Sequence, residues 1–274
     1  MTKTLVVAEK PSVGQDLAKT LPGTFRKADG YLESEGYVVT WAVGHLVTLA
    51  KPEEYDSRYR RWRTADLPIL PAEFKLTAAD ERSGKQLSVI RDLMGRSDVV
   101  RVINACDAGR EGELIFAYIW QVAGVEKPVE RLWISSLTSK AIHDGLDRLR
   151  PSAEMNRLEE AARSRAEADW LIGMNATRAA SIRGRVANSG LISLGRVQTP
   201  TLALLARREV EIQGFVPQDY WLVDATFGAQ GRADYVGRWF TGEETRLRTA
   251  GDAEAIVKKT RDKPGVVASV ERKE

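Results

Sequence analysis

Short apolar runs that break off into charge, and then into helical periodicity, constrain this chain more than any other feature. Thr4-Leu5-Val6-Val7-Ala8 has the length and branching of a buried strand and closes on Glu9-Lys10-Pro11-Ser12. Val99 to Asn104 repeats the pattern and runs into Asp107, Arg110, Glu111 and Glu113. "VERLWISSL" supplies a third such run. Helical spacing fills the gaps. It covers Val13 to Ala18 with Ser12 as N-cap, then a face of Leu87, Ile90, Leu93 and Met94, a helix opening near Glu111, and "TSKAIHDGLDRL". "YLESEGYVVTWAVGHLV" reads as a hairpin turning at Glu33-Ser34-Glu35-Gly36. The alternation predicts an α/β fold over residues 1–150, Rossmann-like with a mainly parallel sheet. Ligands of such sheets gather beyond the carboxyl ends of the strands, so Glu9 and Asp107 are expected to meet at one rim.

Residues 151–215 change to a helical pattern, "AEMNRLEEAARSRAEADWLIGMNATRAASI" and then "TPTLALLARREVEI". From 216 to 274 β-rich runs return, "YWLVDATFGAQGRADYVGRWF", before a closing stretch that reads as helix, turn and strand. The net charge of +3 is too small to prove a polyanionic partner, but its distribution is uneven. Leu171 to Val210 holds Arg178, Arg183, Arg185, Arg196, Arg207 and Arg208 against one acid, Glu209, and no lysine. Arginine without lysine favours bidentate phosphate contacts, although a solvated helix surface has the same composition. The single cysteine, Cys106, excludes an internal disulfide and a zinc-type cluster, and is expected to be a small buried residue in a reducing compartment. "MTKTLVVAEKPS" turns polar too soon for a secretory leader, so a cytoplasmic protein is expected.

Asp107 and Glu111 lie four residues apart across a strand-to-helix turn, and Glu9 closes the neighbouring strand. Hard carboxylate oxygens in small number suit Mg²⁺, with room left for water and phosphate. Acids at a helix N-terminus also stabilise the helix dipole with no metal at all, and spacing alone does not decide between the two.

"VVAEKPS" followed by "DAGREGELI" resembles the Toprim domain of type IA DNA topoisomerases, most closely their topoisomerase III branch. Further blocks fit in order: "VGHL", "LPILPAEF", "RLWISSLTSKAI", "RAEADWLIGMNATRA" and "SLGRVQTPTLALL". The resemblance implies a Toprim domain, a helical domain that cradles single-stranded DNA, and the start of a β-rich arch. It implies an ATP-independent enzyme that breaks one strand, passes another and reseals. Lys10 would stabilise the reacting phosphate, with Glu9 beside it for the metal or for proton transfer. Glu9, Asp107 and Glu111 would hold Mg²⁺, and Arg110 would grip a phosphate. Arg165 would position the scissile phosphate with Asp169 one turn later. His45, Arg178, Arg196 and Gln198 would contact DNA. Trp170 is a candidate stacking platform, though its apolar neighbours favour a core role.

Two departures stand out. The family pattern Asp-x-Asp-x-Glu here reads Asp107, Gly109, Glu111, so one carboxylate is missing. The family's nucleophilic tyrosine sits in a Tyr-x-Arg-Thr context, and none of Tyr31, Tyr37, Tyr55, Tyr59, Tyr118, Tyr220 and Tyr235 has it. The chain therefore reads as an N-terminal fragment, expected to be monomeric, to bind single strands without cleaving them and to leave room for a helicase partner. A Toprim primase or nuclease, or a non-enzymatic DNA-binding module, are the competing readings; the "GRVQTP" block speaks against the first two.

Overall fold

The computed structural model describes residues 1–186, 190–228 and 233–271. Strand β1 (Lys3–Ala8) is buried along nearly its whole length and leads into helix α1 (Pro11–Thr20). Pro11 opens this helix with Lys10 at the cap position, so the start lies earlier than a Ser12 cap would place it. The fixed φ of proline suits the first helical residue, where no amide donor is missed. A meander follows, β2 (Arg26–Ala28), β3 (Tyr31–Glu33) and β4 (Tyr37–Trp41), with the hairpin at the expected place. Strand β5 (Val47–Leu49), the short helix α2 (Pro52–Tyr55) and β6 (Leu76–Ala78) come next, then α3 (Glu81–Gly95), capped by the Asp80 carboxylate. Strand β7 (Val99–Ala105) enters α4 (Arg110–Ala123), β8 (Val129–Arg131) enters α5 (Ser139–Leu146), and β9 (Arg150–Pro151) closes the sheet.

The seven strands are ordered β2-β3-β4-β1-β7-β8-β9. Pairs β4–β1, β1–β7 and β7–β8 are parallel, whereas β2–β3, β3–β4 and β8–β9 are antiparallel. The mainly parallel sheet expected from the alternation is thus mixed, parallel only at its centre. Its centre is buried on both faces, which is why the central strands read as unbroken apolar runs. One face packs Leu5, Val7, Val102 and Val38 against α3 and α4, and the other packs Val6, Ile103 and Val39 against α1 and α5. The third run is strand only as far as Arg131; Leu132 to Leu137 continue without strand pairing.

At the amino end of the sheet, Arg96 donates to both carboxylate oxygens of Asp98 and to Glu33, and Glu33 also accepts from Lys3. This network joins β1, the β3–β4 hairpin and the α3–β7 connection.

Helix α6 (Asn156–Val186) packs along α4, and Trp170 ties it down. The Trp170 indole is buried, donates to the Ala50 carbonyl at 2.9 Å and meets Tyr55 and Phe74 edge-on. It is a core residue and not a stacking platform. Contacts group residues 1–203 into one compact unit and 204–274 into a second, with α7 (Gln198–Gln213) running across the division. The helical segment up to Ala203 is therefore part of the α/β body, because α6 covers the apolar face of α4.

The second unit holds an antiparallel pair, β10 (Asp224–Phe227) and β11 (Tyr235–Arg238), and helix α8 (Ala250–Thr260) capped by Thr249. Arg238 grips Asp224 through two nitrogens, and Phe227 stacks on Tyr235. Residues 229–232 of the β-rich run and the final 272–274 lie outside the described residues, and the expected strand after α8 carries no pairing over residues 264–271. Among the described residues no helix is long and apolar enough to cross a membrane.

The Arg96 network predicts a defined acid response. Arg96 holds Asp98 down at about 2 and keeps Glu33 below the usual carboxylate range. A depressed carboxylate contributes stability that is present above its unfolded pKa, near 4, and is lost as pH falls through the folded value. The melting temperature should therefore drop between about pH 4 and pH 2, and Arg96→Met should flatten that limb. An identical acid limb in the variant would remove the network from the account.

Candidate active site at the carboxyl rim of the sheet

The site follows from strand register. Ala8 pairs with Ala105 on one side and with Trp41 on the other, all parallel, so the residues after these three positions emerge at one rim. Those residues are Glu9-Lys10, Cys106-Asp107 and the loop Ala42 to His45. Gly44 turns that loop with φ +76°, a conformation in which L side chains are strained, and its amide reaches toward the Glu9 carbonyl.

Glu9 is 8% exposed, and its carboxylate accepts the Asp107 amide at 3.1 Å. Lys10 Nζ bridges the two acids, 2.9 Å from Asp107 Oδ2 and 3.3 Å from Glu9 Oε1. The hydrogen bond to Asp107, aided by Glu9, raises the Lys10 pKa, so the ammonium stays charged at neutral pH. The two acids read as distant partners are thus brought together.

Asp107 owes its placement to a buried cation. Arg131, at the end of β8, is 1% exposed and donates to the carbonyls of Asn104, Cys106, Leu132 and Asp107. Its Nε pairs with Glu113 at 2.5 Å, and Glu113 also accepts from the Asn104 amide. The guanidinium thus fixes the backbone of the acidic turn without engaging the Asp107 carboxylate, which pairs with Lys10. Glu113, a spare acid by sequence, is committed to this pair. Gly112 completes the turn, since a Cβ there would collide with the Asp107 backbone. Burial pushes the Cys106 thiol far up, which leaves it protonated and inert.

Glu111 stands on the first turn of α4 and faces His45, with 3.7 Å between carboxylate and imidazole. Across a cavity of about 370 Å³ both look toward Arg165 and Asp169 of α6, and Tyr118 lines the same cavity. Asp169 pairs with two arginines, Arg165 at 3.7 Å and Arg196 at 2.8 Å, and so sets their guanidiniums side by side. Arg196 reaches there because the segment 190–196 is laced to α6. Thr177 exchanges hydrogen bonds with Leu194, and Ser181 does so with Ile192. Gln198 is exposed at the start of α7 and donates to Ser193, and Arg110 is exposed on the first turn of α4.

Among the described residues no three His, Cys, Asp or Glu side chains converge as a metal group; Glu111 lies 3.7 Å from His45, and Lys10 bridges Glu9 and Asp107. Arg178, expected at the phosphate groove, is 5% exposed. It donates to the Tyr59 carbonyl, lies 3.6 Å from Glu53 and packs over Trp62, because its position on α6 faces α2. The side chain of Arg185 lies outside the described residues. Sequence reading missed Arg131 and Tyr118.

Residues 4–137 match the Toprim domain model, and residues 153–274 match a model described as DNA topoisomerase. The chain belongs to the type IA topoisomerases, on their topoisomerase III-like branch. DNA topoisomerase 3 of Bacillus subtilis is 49% identical over 82% of this chain and 30% of its own length. DNA topoisomerase 3 of Bacillus licheniformis is 43% identical over 99% of this chain and 36% of its own length. The chain therefore spans about a third of the length of these topoisomerases. The solved structure of full-length topoisomerase I from Thermotoga maritima superposes with a TM-score of 0.56 at 20% identity, over 92% of this chain and 37% of that one, and shares the fold.

Two variants test the electrostatics. Glu113→Gln leaves Arg131 buried without its counter-charge and should cost about 3–5 kcal/mol in urea unfolding. Gly109 has an ordinary extended backbone with open space where a Cβ would sit, so Gly109→Asp should fold normally. A further carboxylate at this rim should raise Mg²⁺ affinity by about several-fold in calorimetric titration; unchanged affinity with a higher melting temperature would mean that it merely caps α4.

Proposed function

We propose that this chain carries the phosphate-handling and metal-binding half of a type IA topoisomerase III-like reaction, and that it binds single-stranded DNA. One observation supports the reading above others: Glu9, Lys10 and Asp107 share a rim with His45 and Glu111, which face Arg165, Asp169 and Tyr118 across one cavity. A strand lying in that cavity meets the Arg165 guanidinium on the α6 side and the His45 imidazole on the rim side.

Lys10 carries its charge on a half-exposed side chain and is free to move from the two carboxylates to a phosphate oxygen. Arg165 and Arg196 present two planar forks held at a fixed separation by Asp169, suited to successive phosphates. Glu9, largely sequestered beside Lys10, is placed to exchange a proton with a leaving 3′-oxygen. His45, 3.7 Å from Glu111, offers a hydrogen bond to the sugar-phosphate backbone.

The chemistry at the rim also fits Mg²⁺: two hard carboxylates already share one cation, the Lys10 ammonium. Glu9 and Asp107 would hold the ion, with Glu111 as the adjacent acid. Bound there, Mg²⁺ would neutralise phosphate charge during cleavage and resealing. Strand cleavage also needs a nucleophilic tyrosine, and no tyrosine of this chain has the Tyr-x-Arg-Thr context. The chain alone is accordingly expected to bind and not to cut.

The test is binding of labelled oligonucleotides across a salt series. The chain should prefer single strands to duplex. Arg165→Ala and Arg196→Ala should each weaken binding and lower the salt slope by about 1, the mark of one lost phosphate contact. Unchanged slopes in both would remove these arginines from the groove. Relaxation of supercoiled DNA by the chain alone would overturn the placement of the nucleophile outside it.

A further inference from the structure

A second cavity, of about 590 Å³, lies on the other face of the sheet from the first. Leu114, Tyr118 and Trp170 line the first and belong to the core packed against α3 and α4. Val13, Leu17 and Leu132 line the second and belong to the core packed against α1 and α5. The acidic turn stands between them: Glu111 borders the first cavity, and Asp107 and Ala108 border the second. A strand that comes in over Arg165 and reaches Lys10 has arrived at the crest of the sheet, and its continuation descends on the α1 side.

Helix α1 connects the crest to this cavity. Val13 and Leu17 follow Lys10 at about one and two helical turns, so they fall beneath it along one face, with Leu17 about 10 Å away. We propose that this cavity takes the nucleoside, sugar and base, next to the phosphate held by Lys10, as a single strand passes from one face of the sheet to the other.

The lining selects a nucleoside over a phosphate. Among the described residues no lysine or arginine borders the cavity, whereas Asp107 does. Lys10 balances only one of the two carboxylates it bridges, so one negative charge is left in excess beside the mouth. A phosphate entering there is repelled, and a neutral ring is not. Val13, Leu17, Ala105 and Leu132 supply apolar walls, and the volume lies within the range of small-molecule sites, about 300–1,000 Å³. Ser135 and Ser136 stand at the exposed side, where each hydroxyl can donate to or accept from the edge of a base.

The inference rests on the proposed single-strand binding with Lys10 on a phosphate, and one experiment separates the two. An oligonucleotide trimmed to the shortest length that binds fully is walked twice, and its affinity for the full 274-residue chain is measured. In the first walk a neutral methylphosphonate replaces one phosphate at a time. The position whose penalty vanishes in Lys10→Met marks the phosphate that Lys10 holds. In the second walk a single abasic site moves one position at a time. One of the two bases flanking the marked phosphate should cost about 5- to 50-fold when removed, the worth of partly burying one ring. Val13→Phe fills the cavity, and Leu137→Ser strips a half-exposed part of its wall. In both variants that penalty should shrink to the level of the other positions, while the methylphosphonate profile stays as it was. Melting curves check that each variant folds; if Val13→Phe does not, Leu137→Ser decides alone. An abasic profile that neither variant changes, or a Lys10→Met walk that marks no phosphate, overturns the subsite and leaves single-strand binding standing. Failure of the native chain to bind any single strand overturns the functional reading along with it.

Discussion

The in-register parallel pairing of β1 with β7 is the constraint on which the rest depends. Two buried apolar strands side by side leave no freedom to slip, because a one-residue shift would turn every core side chain outward. With Ala8 held against Ala105, the charges that follow have one place to go. Glu9 and Asp107 are driven together by packing of residues that do no chemistry. The electrostatic cost of bringing two carboxylates close is offset at once by the Lys10 ammonium, which stands between them.

Beneath that rim the interior does something less common. A fully buried arginine is normally a liability, yet Arg131 meets five acceptors, four of them backbone carbonyls of the turn and strand end around it. Carbonyl oxygens at the end of a parallel strand lose their ladder partners, and the guanidinium supplies what water would otherwise supply. Glu113 balances the charge. The consequence for chemistry is preorganisation: the Asp107 backbone is fixed before any ligand arrives, so little ordering entropy is left to lose on binding.

Much of this was legible from residue order. Apolar runs gave β1, β7 and the hairpin, helical spacing gave α1, α3 and α4, and the meeting of Glu9 with Asp107 followed from strand ends alone. What stayed hidden was partnership. Periodicity marks a buried face but not what covers it, so Trp170 read as either core or platform until the Ala50 carbonyl settled it. Arg178 and Arg196 look alike in sequence, yet one faces α2 from inside and the other lies exposed beside Asp169. Arg131 escaped notice because nothing in a three-residue strand says that its last side chain turns inward. The outermost antiparallel strands, β2 and β9, were equally invisible, since strands of two or three residues are too short to show a period.

The lacing of residues 190–194 to α6 has a mechanical consequence. These residues belong to no sheet; hydroxyls of Thr177 and Ser181, one turn apart, take the place of a neighbouring strand. The stretch that carries Arg196 is therefore a passenger on the helix. Any rolling or sliding of α6 moves Arg165, Asp169 and Arg196 as one piece, and their mutual spacing survives while their distance to the sheet changes.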